Sequence, residues 1–555
     1  MKLKSKLLMP ALLLGALVAT SCGDGTQQLG DSLADGQDVT ISFYTNIYTD
    51  QEVQLMNNIV SAFEDQYPNI TVDWSKQGQY YQVHDKLTQL LTTPDRLPNM
   101  AVCYPDYVVE YMANPDLVLD MTPYMSNELF GLGHDYNNEG SHEKDTVEDD
   151  MNQQFLDEGR KYSTEGTYSL PWYKNSEALF YNYDVLNKYI GENNYNLTNW
   201  EDIIDLARKL IKMDNIEVYD SIYNKETKES YFAPSTIQWQ KGVVTPIGYD
   251  SNDNLYITFS EMMGVPYTGN TDLNGDGRIN KSEAILFYDE KTQQADPDAV
   301  KMVEMLKGWY DEGLITTTEQ LCKVVNNADD GIWNYFQYHQ QSLVYINGSK
   351  NSQYCSYDSF RGDALPTPAI DHGMIEDGHM NDKTIKSKAM SQGANIVFFD
   401  QGDAENQASW LFYKFLTNTQ NSAETAVVMN SMPVRSSSYD TATFKGATAN
   451  LDKFPENAPT FAEEENNPGH YYVESDEEGN SAAEDNTEYL ASKVYEIYDE
   501  YAANGQTFIA PVSTFSSNAR TAVSNLLLNV FSSNATGDQL TSYIKDQFKV
   551  AYDNC

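Results

Sequence analysis

Basic residues are scarce in this chain. Lys and Arg number 36 against 82 Asp and Glu, a formal charge of −46. Nucleic-acid binding draws most of its affinity from basic side chains on phosphates, so this balance excludes it. It favours solubility and attraction of cations instead. Cysteine is also scarce. Beyond Cys22 there are Cys103, Cys322, Cys355 and Cys555, with no C-x-x-C spacing. That pattern argues against a thiolate zinc site and leaves disulfides and free thiols equally open. The seven histidines form no cluster, and neither H-E-x-x-H nor G-x-S-x-G occurs. Acid pairs decide nothing among so many carboxylates. No catalytic activity is expected. After the first 22 residues, no run is long and apolar enough to cross a bilayer.

The N-terminus "MKLKSKLLMPALLLGALVATSCGDG" is different. Lys2, Lys4 and Lys6 precede a short apolar run, Leu7 to Thr20, and small residues lead to Cys22. This reads as a secretory signal over residues 1–22. "VATSC" resembles a bacterial lipobox with a lipidated Cys22, although Ala19 stands where Leu is usual. A polar tether, 23–38, follows. Aromatic residues make up 12% of the chain, with 40 tyrosines. Such faces suit carbohydrate as well as ordinary cores.

"VTISFYTN" (Val39 to Asn46) alternates as a strand. Thr49 and Glu52 then form a capping box, with Leu55, Ile59 and Phe63 at helical spacing before Pro68. "NITVDW", "YQVHDKLTQLLTT" and "NMAVCY" continue as strand, helix and strand. This β-α-β-α-β order predicts a parallel sheet covered by helices. A second capping box is expected with Thr198 as cap and Glu201 three residues on. "GANIVFF" reads as a late strand followed by the helix "ENQASWLFYKFLTN". Trp200, Trp309 and Trp410 sit in helical patterns as core residues. Acidic stretches at 137–151, 370–386 and 463–486 read as surface insertions.

In this order, "PNMAVCYPDYVVEYMANPDLVLDMTPYM", "YSLPWYKNSEALFYNYDVLNK", "NWEDIIDLARKL", "SLVYINGS", "ALPTPAI" and "ASWLFYKFLTNTQNSAETAVVMNSMPVRSS" resemble the extracellular solute-binding proteins of ABC importers. That family includes maltose-type and glycerol-phosphate-type receptors. The resemblance covers most of Val39 to Asn554. It implies an α/β, two-lobed fold of the periplasmic-binding-protein type, with a hinge and an interlobe ligand cleft that closes on its solute. The expected lobes are 39–168 with 389–430, and 169–388 with 431–555. The implied partners are a small carbohydrate and membrane permease subunits. The implied state is a monomer, lipid-anchored on the outer face of the bacterial cell membrane.

Ligand groups in open α/β sheets lie beyond the carboxyl ends of strands. Asn46 and Tyr48 follow the first strand, Tyr80 and Tyr81 the second, and Tyr104 and Asp106 the third. The family often has a hydroxyl-binding carboxylate where Asp106 stands; the plainer role is a helix cap. Trp172, Tyr173 and Asn175 mark the crossover, where Trp172 either stacks on a sugar or packs the hinge. Tyr231 and Trp239 lie in a segment resembling the family's cleft-facing one, with core packing as the alternative. Asn347, Gly348 and Ser349 end a strand, and Gly348 permits close backbone approach. Arg435 either binds ligand or pins its loop. The segment that tends to be basic in glycerol-phosphate receptors reads "NGQTFIAPVSTF", with only Arg520 nearby. A doubly charged phosphate would call for arginine forks. A neutral sugar or oligosaccharide is therefore expected, with a polyol or glycerol phosphate as the alternative, or a glycan-binding surface lipoprotein without a transporter.

"TDLNGDGRINKSEA" matches a calcium loop over 272–283. Asp272, Asn274 and Asp276 take positions one, three and five, Gly277 six, the Arg278 carbonyl seven, Asn280 nine and Glu283 twelve. A sensor would pair two loops. This one stands alone, so the expectation is a structural Ca2+ clip on the second lobe, with a helix over "KSEAILFYDEK" behind it.

Overall fold

The computed structural model describes residues 37–114, 116–127, 130–132, 150–275, 279–326, 331–348, 359–370, 387–474 and 482–555. The signal segment, Cys22, most of the tether, Cys355, Ser349, Asp276, Gly277, Arg278 and most of the acidic insertions lie outside these residues.

The first sheet has the order β2 (Ile70–Lys76), β1 (Val39–Thr45), β3 (Met100–Cys103), β15 (Gln392–Phe398), β4 (Leu170–Asn175). β1 is parallel to β2 and β3, whereas β15 runs antiparallel to β3 and β4. The helix Asp50–Gln66 begins at the expected capping box, where Thr49 accepts from the Glu52 amide and Glu52 from the Thr49 amide. It buries Leu55, Ile59 and Phe63 on its sheet-facing side. Burial of such side chains contributes about 2 kcal/mol each.

The second sheet has the order β11 (Ile315–Thr317), β8 (Ile247–Tyr249), β12 (Val344–Gly348), β5 (Glu177–Asn182), β13 (Gly362–Leu365). β8 is parallel to β11 and β12, and β5 is antiparallel to β12 and β13. Each sheet has its own core. The first gathers Phe43, Phe63, Trp172, Trp410 and Phe412; the second gathers Trp200, Phe259, Trp309, Tyr345 and Leu526.

Two short strands join the lobes, β14 (Ala389–Met390) and β18 (Thr507–Phe508), paired in parallel. β14 leads directly into β15. Another crossing lies at Ser176, between β4 and β5, where the buried Ser176 hydroxyl donates to the Met390 carbonyl (3.1 Å). A lobe boundary at 169 therefore falls seven residues early, counting from 169 to 176. Leu170–Asn175 belongs to the first sheet because its buried side chains pack on Phe43 and its backbone pairs with β15.

A further small sheet is β16 (Phe461–Glu463), β17 (Tyr471–Val473), β7 (Glu229–Thr236), β6 (Glu217–Asn224), and β9 (Tyr288–Asp289) pairs with β10 (Gln294–Ala295). Two local expectations change. The cap of helix Trp200–Leu210 is Asn199, which accepts from the Asp202 amide (2.9 Å), while Thr198 bonds to Asn196. Behind the calcium loop only Lys281–Ala284 is helical; β9 then claims Tyr288 and Asp289.

Candidate functional site

Where the strand ends of the two sheets face each other there is a cavity of about 390 Å³. The first lobe contributes Tyr104, Asp106 and Tyr107. Tyr104 is the cap of helix Pro105–Tyr111, whose first turn starts at Pro105 because proline lacks the amide that a first turn leaves unbonded. The second lobe contributes the turn after β8. Ser251 caps helix Asn252–Met263 and places Asp253, Asn254 and Ile257 on the cavity wall. Tyr267 and Thr268 follow. Met390, Ser391 and Gln392 form the hinge floor, and helix Ser516–Ser532 brings Ser516, Ser517, Arg520 and Thr521. Tyrosine faces alternate with hydroxyls and amides, as a site for a polyhydroxylated solute needs.

The first-lobe tyrosines support one another. The Tyr80 and Tyr104 rings lie 4.4 Å apart at 30°, and Tyr107 meets Tyr104 edge-on at 5.8 Å. The Tyr80 hydroxyl is 3.1 Å from that of Tyr173, which donates to Asn46 Oδ1 (3.3 Å). Burial raises the Tyr80 and Tyr104 hydroxyls well above the ordinary phenol range and pushes Tyr107 up to about 12. These groups are thus protonated donors at every physiological pH. Burial also raises the Asp106 carboxyl, with the Arg520 charge opposing it.

Arg520 lies across the cleft from Asp106. Its Nη1 donates to Asp253 Oδ2 (2.7 Å) and Asn254 Oδ1 (3.0 Å), and its Nη2 is 3.3 Å from Met390 Sδ. Burial works against the guanidinium charge, but Asp253 and Asp106 outweigh it and hold Arg520 above its ordinary value. Below the floor, Ser391 donates to Glu158, which pairs with the fully buried Lys174; Lys174 also reaches Asn395. Behind the second-lobe wall, Glu177 Oε2 accepts from Tyr249 and Thr258 (3.0 Å each), while Oε1 is buried without a partner among the described residues. Burial pushes this carboxyl up to about 7.

The structure thus brings together Asn46, Tyr80, Tyr104, Asp106 and Tyr173. Asn175 and Gly348 border the floor, since Asn175 faces Gln392 in the ladder and a Cβ on Gly348 would lie 3.7 Å from Gln392 Oε1. Asn347, at 2% exposure, sits within β12 opposite Ala178. Six other expected residues stand elsewhere. Trp172 is 2% exposed and packs on Phe43, 5.5 Å between rings, so it serves the first core. Tyr231 stacks on His470 in the small outer sheet. Trp239 packs on the second core and donates to the Leu210 carbonyl (2.9 Å). Arg435 is fully buried and donates to the Thr417 carbonyl (2.8 Å), which pins the loop. Tyr81 points outward, as does Tyr48. Ser251, Asp253, Asn254, Tyr267 and Gln392 were missed, and Arg520 was weighed only as a phosphate ligand. The signal for the first three was a strand end, but β8 is only three residues long.

In the calcium loop, Glu283 is buried. Its Oε1 accepts from the amides of Leu273 and Asn274 and its Oε2 from that of Asn280, all 3.0 Å. Asp272 accepts from the Gly275 amide (2.7 Å). Asp272, Asn274, Asn280 and Glu283 are all oxygen donors, which fits a hard cation. Among the described residues no group of three or more His, Cys, Asp or Glu is arranged to hold a metal. Just before the loop, Asn270 donates to the Lys161 carbonyl (2.8 Å) of the first lobe.

A family model described as "Bacterial extracellular solute-binding protein" matches residues 58–453. No curated protein sequence matches. The fold is similar to that of UgpB from Mycobacterium tuberculosis in complex with glycerophosphocholine (TM-score 0.58, 13% identity, covering 93% of this chain and 99% of that one). It is also similar to the sugar-binding protein MalE from Xanthomonas citri (0.55, 13%, 93% and 98%). The ABC substrate-binding protein Lmo0181 from Listeria monocytogenes in complex with cycloalternan is a third (0.54, 14%, 93% and 98%).

Proposed function

The chain belongs to the bacterial extracellular solute-binding proteins, and from that premise we propose that it is the receptor of an ABC importer. It captures a neutral sugar or oligosaccharide between its lobes and hands it to membrane permease subunits. The observation that carries this reading is the cavity between the facing strand ends, with tyrosine faces and uncharged hydroxyls and amides around a single guanidinium already matched by Asp253. A volume of about 390 Å³ is near the lower end of the 300–1,000 Å³ that ligand pockets span, which favours a short saccharide. Of the similar solved structures, one is a sugar-binding protein, one is in complex with cycloalternan and one is in complex with glycerophosphocholine. The receptor acts as a monomer, anchored through lipidated Cys22 on the outer face of the cell membrane, and performs no catalysis.

The test is a thermal-shift screen of residues 23–555 with neutral mono- and oligosaccharides, polyols and glycerol phosphates. A solute that binds only the folded state raises the melting temperature, by about 2.7 kcal/mol of stabilisation at a hundredfold excess over Kd. A shift with one neutral glycan supports the reading. A shift with phosphates alone refutes the ligand class.

The loop at 272–283 is proposed as a structural calcium clip. Asp272, Asn274, Asp276, Asn280, Glu283 and the Arg278 carbonyl would hold the ion, which supplies charge neutralisation there. Calorimetric titration of calcium into the wild-type protein is expected to show one site that disappears in Glu283→Gln; no heat with the wild type refutes it.

A further inference from the structure

Arg520 is the one basic side chain among the described residues lining the cavity. It is the fifth residue of helix Ser516–Ser532, whose dipole favours negative charge at this end. An arginine at a helix N-terminus in a cleft is the arrangement that captures phosphates and carboxylates. Here one face of that guanidinium is already taken. Asp253 Oδ2 and Asn254 Oδ1 both accept from Nη1, at 2.7 and 3.0 Å. Asp106 adds a second carboxylate from the facing lobe. The cavity therefore presents two carboxylates against one cation. The Arg520 side chain is 40% exposed while that of Asp253 is 17% exposed, so the pair is open to solutes from the arginine side.

We propose that Asp253 is the specificity-determining residue of this cleft, which cancels the charge of Arg520 and so keeps anionic solutes out. The inference rests on the reading of the cavity as the solute site and deepens it. Asp253 is fixed for this role by its backbone. It lies in the first turn of helix Asn252–Met263, capped by Ser251, where a carboxylate is itself favoured by the dipole. Arg520 then offers hydroxyl-binding N–H groups with little net charge, which suits a neutral polyhydroxylated solute. A dianion entering the cavity meets Asp106 and Asp253 at close range. At the effective dielectric of a partly exposed site, each such carboxylate lowers anion affinity by about tenfold or more.

The test titrates sn-glycerol 3-phosphate calorimetrically into wild type, Asp253→Asn, Asp106→Asn and the double variant Asp253→Asn/Arg520→Gln, each checked for wild-type circular dichroism. The wild type is expected to show no measurable binding. Asp253→Asn is expected to gain at least about tenfold, with the gain shrinking as salt is raised. Asp106→Asn should gain less, since it leaves the Asp253–Arg520 pair intact, and the double variant should lose the gain. Should Asp253→Asn fail to fold, Asp253→Ser retains an acceptor for Arg520 and answers the same question. Tight binding of the phosphate by wild type overturns the inference, as does an unchanged affinity in the folded Asp253 variants or a gain that persists without Arg520. Neutral saccharides titrated into the same proteins judge the receptor reading separately. Saccharide binding without the phosphate switch overturns only the inference. The switch without saccharide binding overturns only the choice of a neutral ligand.

Discussion

Glu177 is fully buried one residue past the Ser176 crossing. Its carboxyl receives hydrogen bonds from Tyr249 and Thr258, yet Oε1 has no partner among the described residues and Asp250 and Asp253 add like charge nearby. Burial lifts it from the ordinary 4.5 to about 7. The folded protein then holds a proton that the unfolded chain has released between pH 4.5 and 7. Stability must fall as pH rises through that window and level off above it. The gap, at about 1.4 kcal/mol per pH unit, corresponds to about 3 kcal/mol. Glu177→Gln keeps the shape and removes the charge. The variant should match wild type near pH 4.5 and exceed it by up to about 3 kcal/mol at pH 8, measured by urea unfolding across that range. Glu319, whose carboxyl burial also pushes up to about 7, is present in both proteins and cancels in the difference. A difference between the two proteins that does not change with pH would refute the reasoning.

Trp172→Ala should destabilise the first lobe by about 3–5 kcal/mol, the cost of emptying a core aromatic site, while leaving solute affinity of the folded protein within about twofold. Calorimetry with the solute found by screening decides this, and affinity lost at unchanged stability would return Trp172 to the cleft. Tyr104→Ala should do the reverse and weaken that solute about fivefold, as loss of about 1 kcal/mol of aromatic contact implies, with a small effect on the melting temperature.

The start of the first lobe was legible because its first two strands alternate and its first helix carries a full capping box, both local signals. The calcium loop is also a local pattern. Where the reading went astray, the deciding contact was distant. Trp172 and Tyr173 are adjacent at an irregularity in β4, where the ladder passes from Pro171 to Tyr173 and the two rings meet edge-on at 5.0 Å: one also meets Phe43, while the hydroxyl of the other reaches Asn46 and Tyr80. No local pattern says which of the two sends a polar atom toward the cleft. Tyr231 looked like a stacking residue, but it belongs to a hairpin whose partner strand, β17, comes from an insertion more than 200 residues later. Asp253 and Arg520 are 267 residues apart, and only the packing of their two helices joins them. At Asn199 the local chemistry itself was ambiguous, since Thr198 and Asn199 are both good caps.

The position of β15 has a consequence for how the chain acquires its shape. This strand lies between β3 and β4 and is their shared partner, yet it follows β4 by more than 200 residues. Until residues 392–398 exist, Met100–Cys103 and Leu170–Asn175 each lack a neighbour and leave open edges. The N-terminal lobe is therefore not a unit that synthesis finishes before the second begins. Any fragment that stops short of residue 392 lacks an interior strand of its first sheet. Closing so long a loop before the pairing rewards it costs entropy and slows folding. A chain wired in this way completes its first lobe late, after the strands of the second sheet have been made.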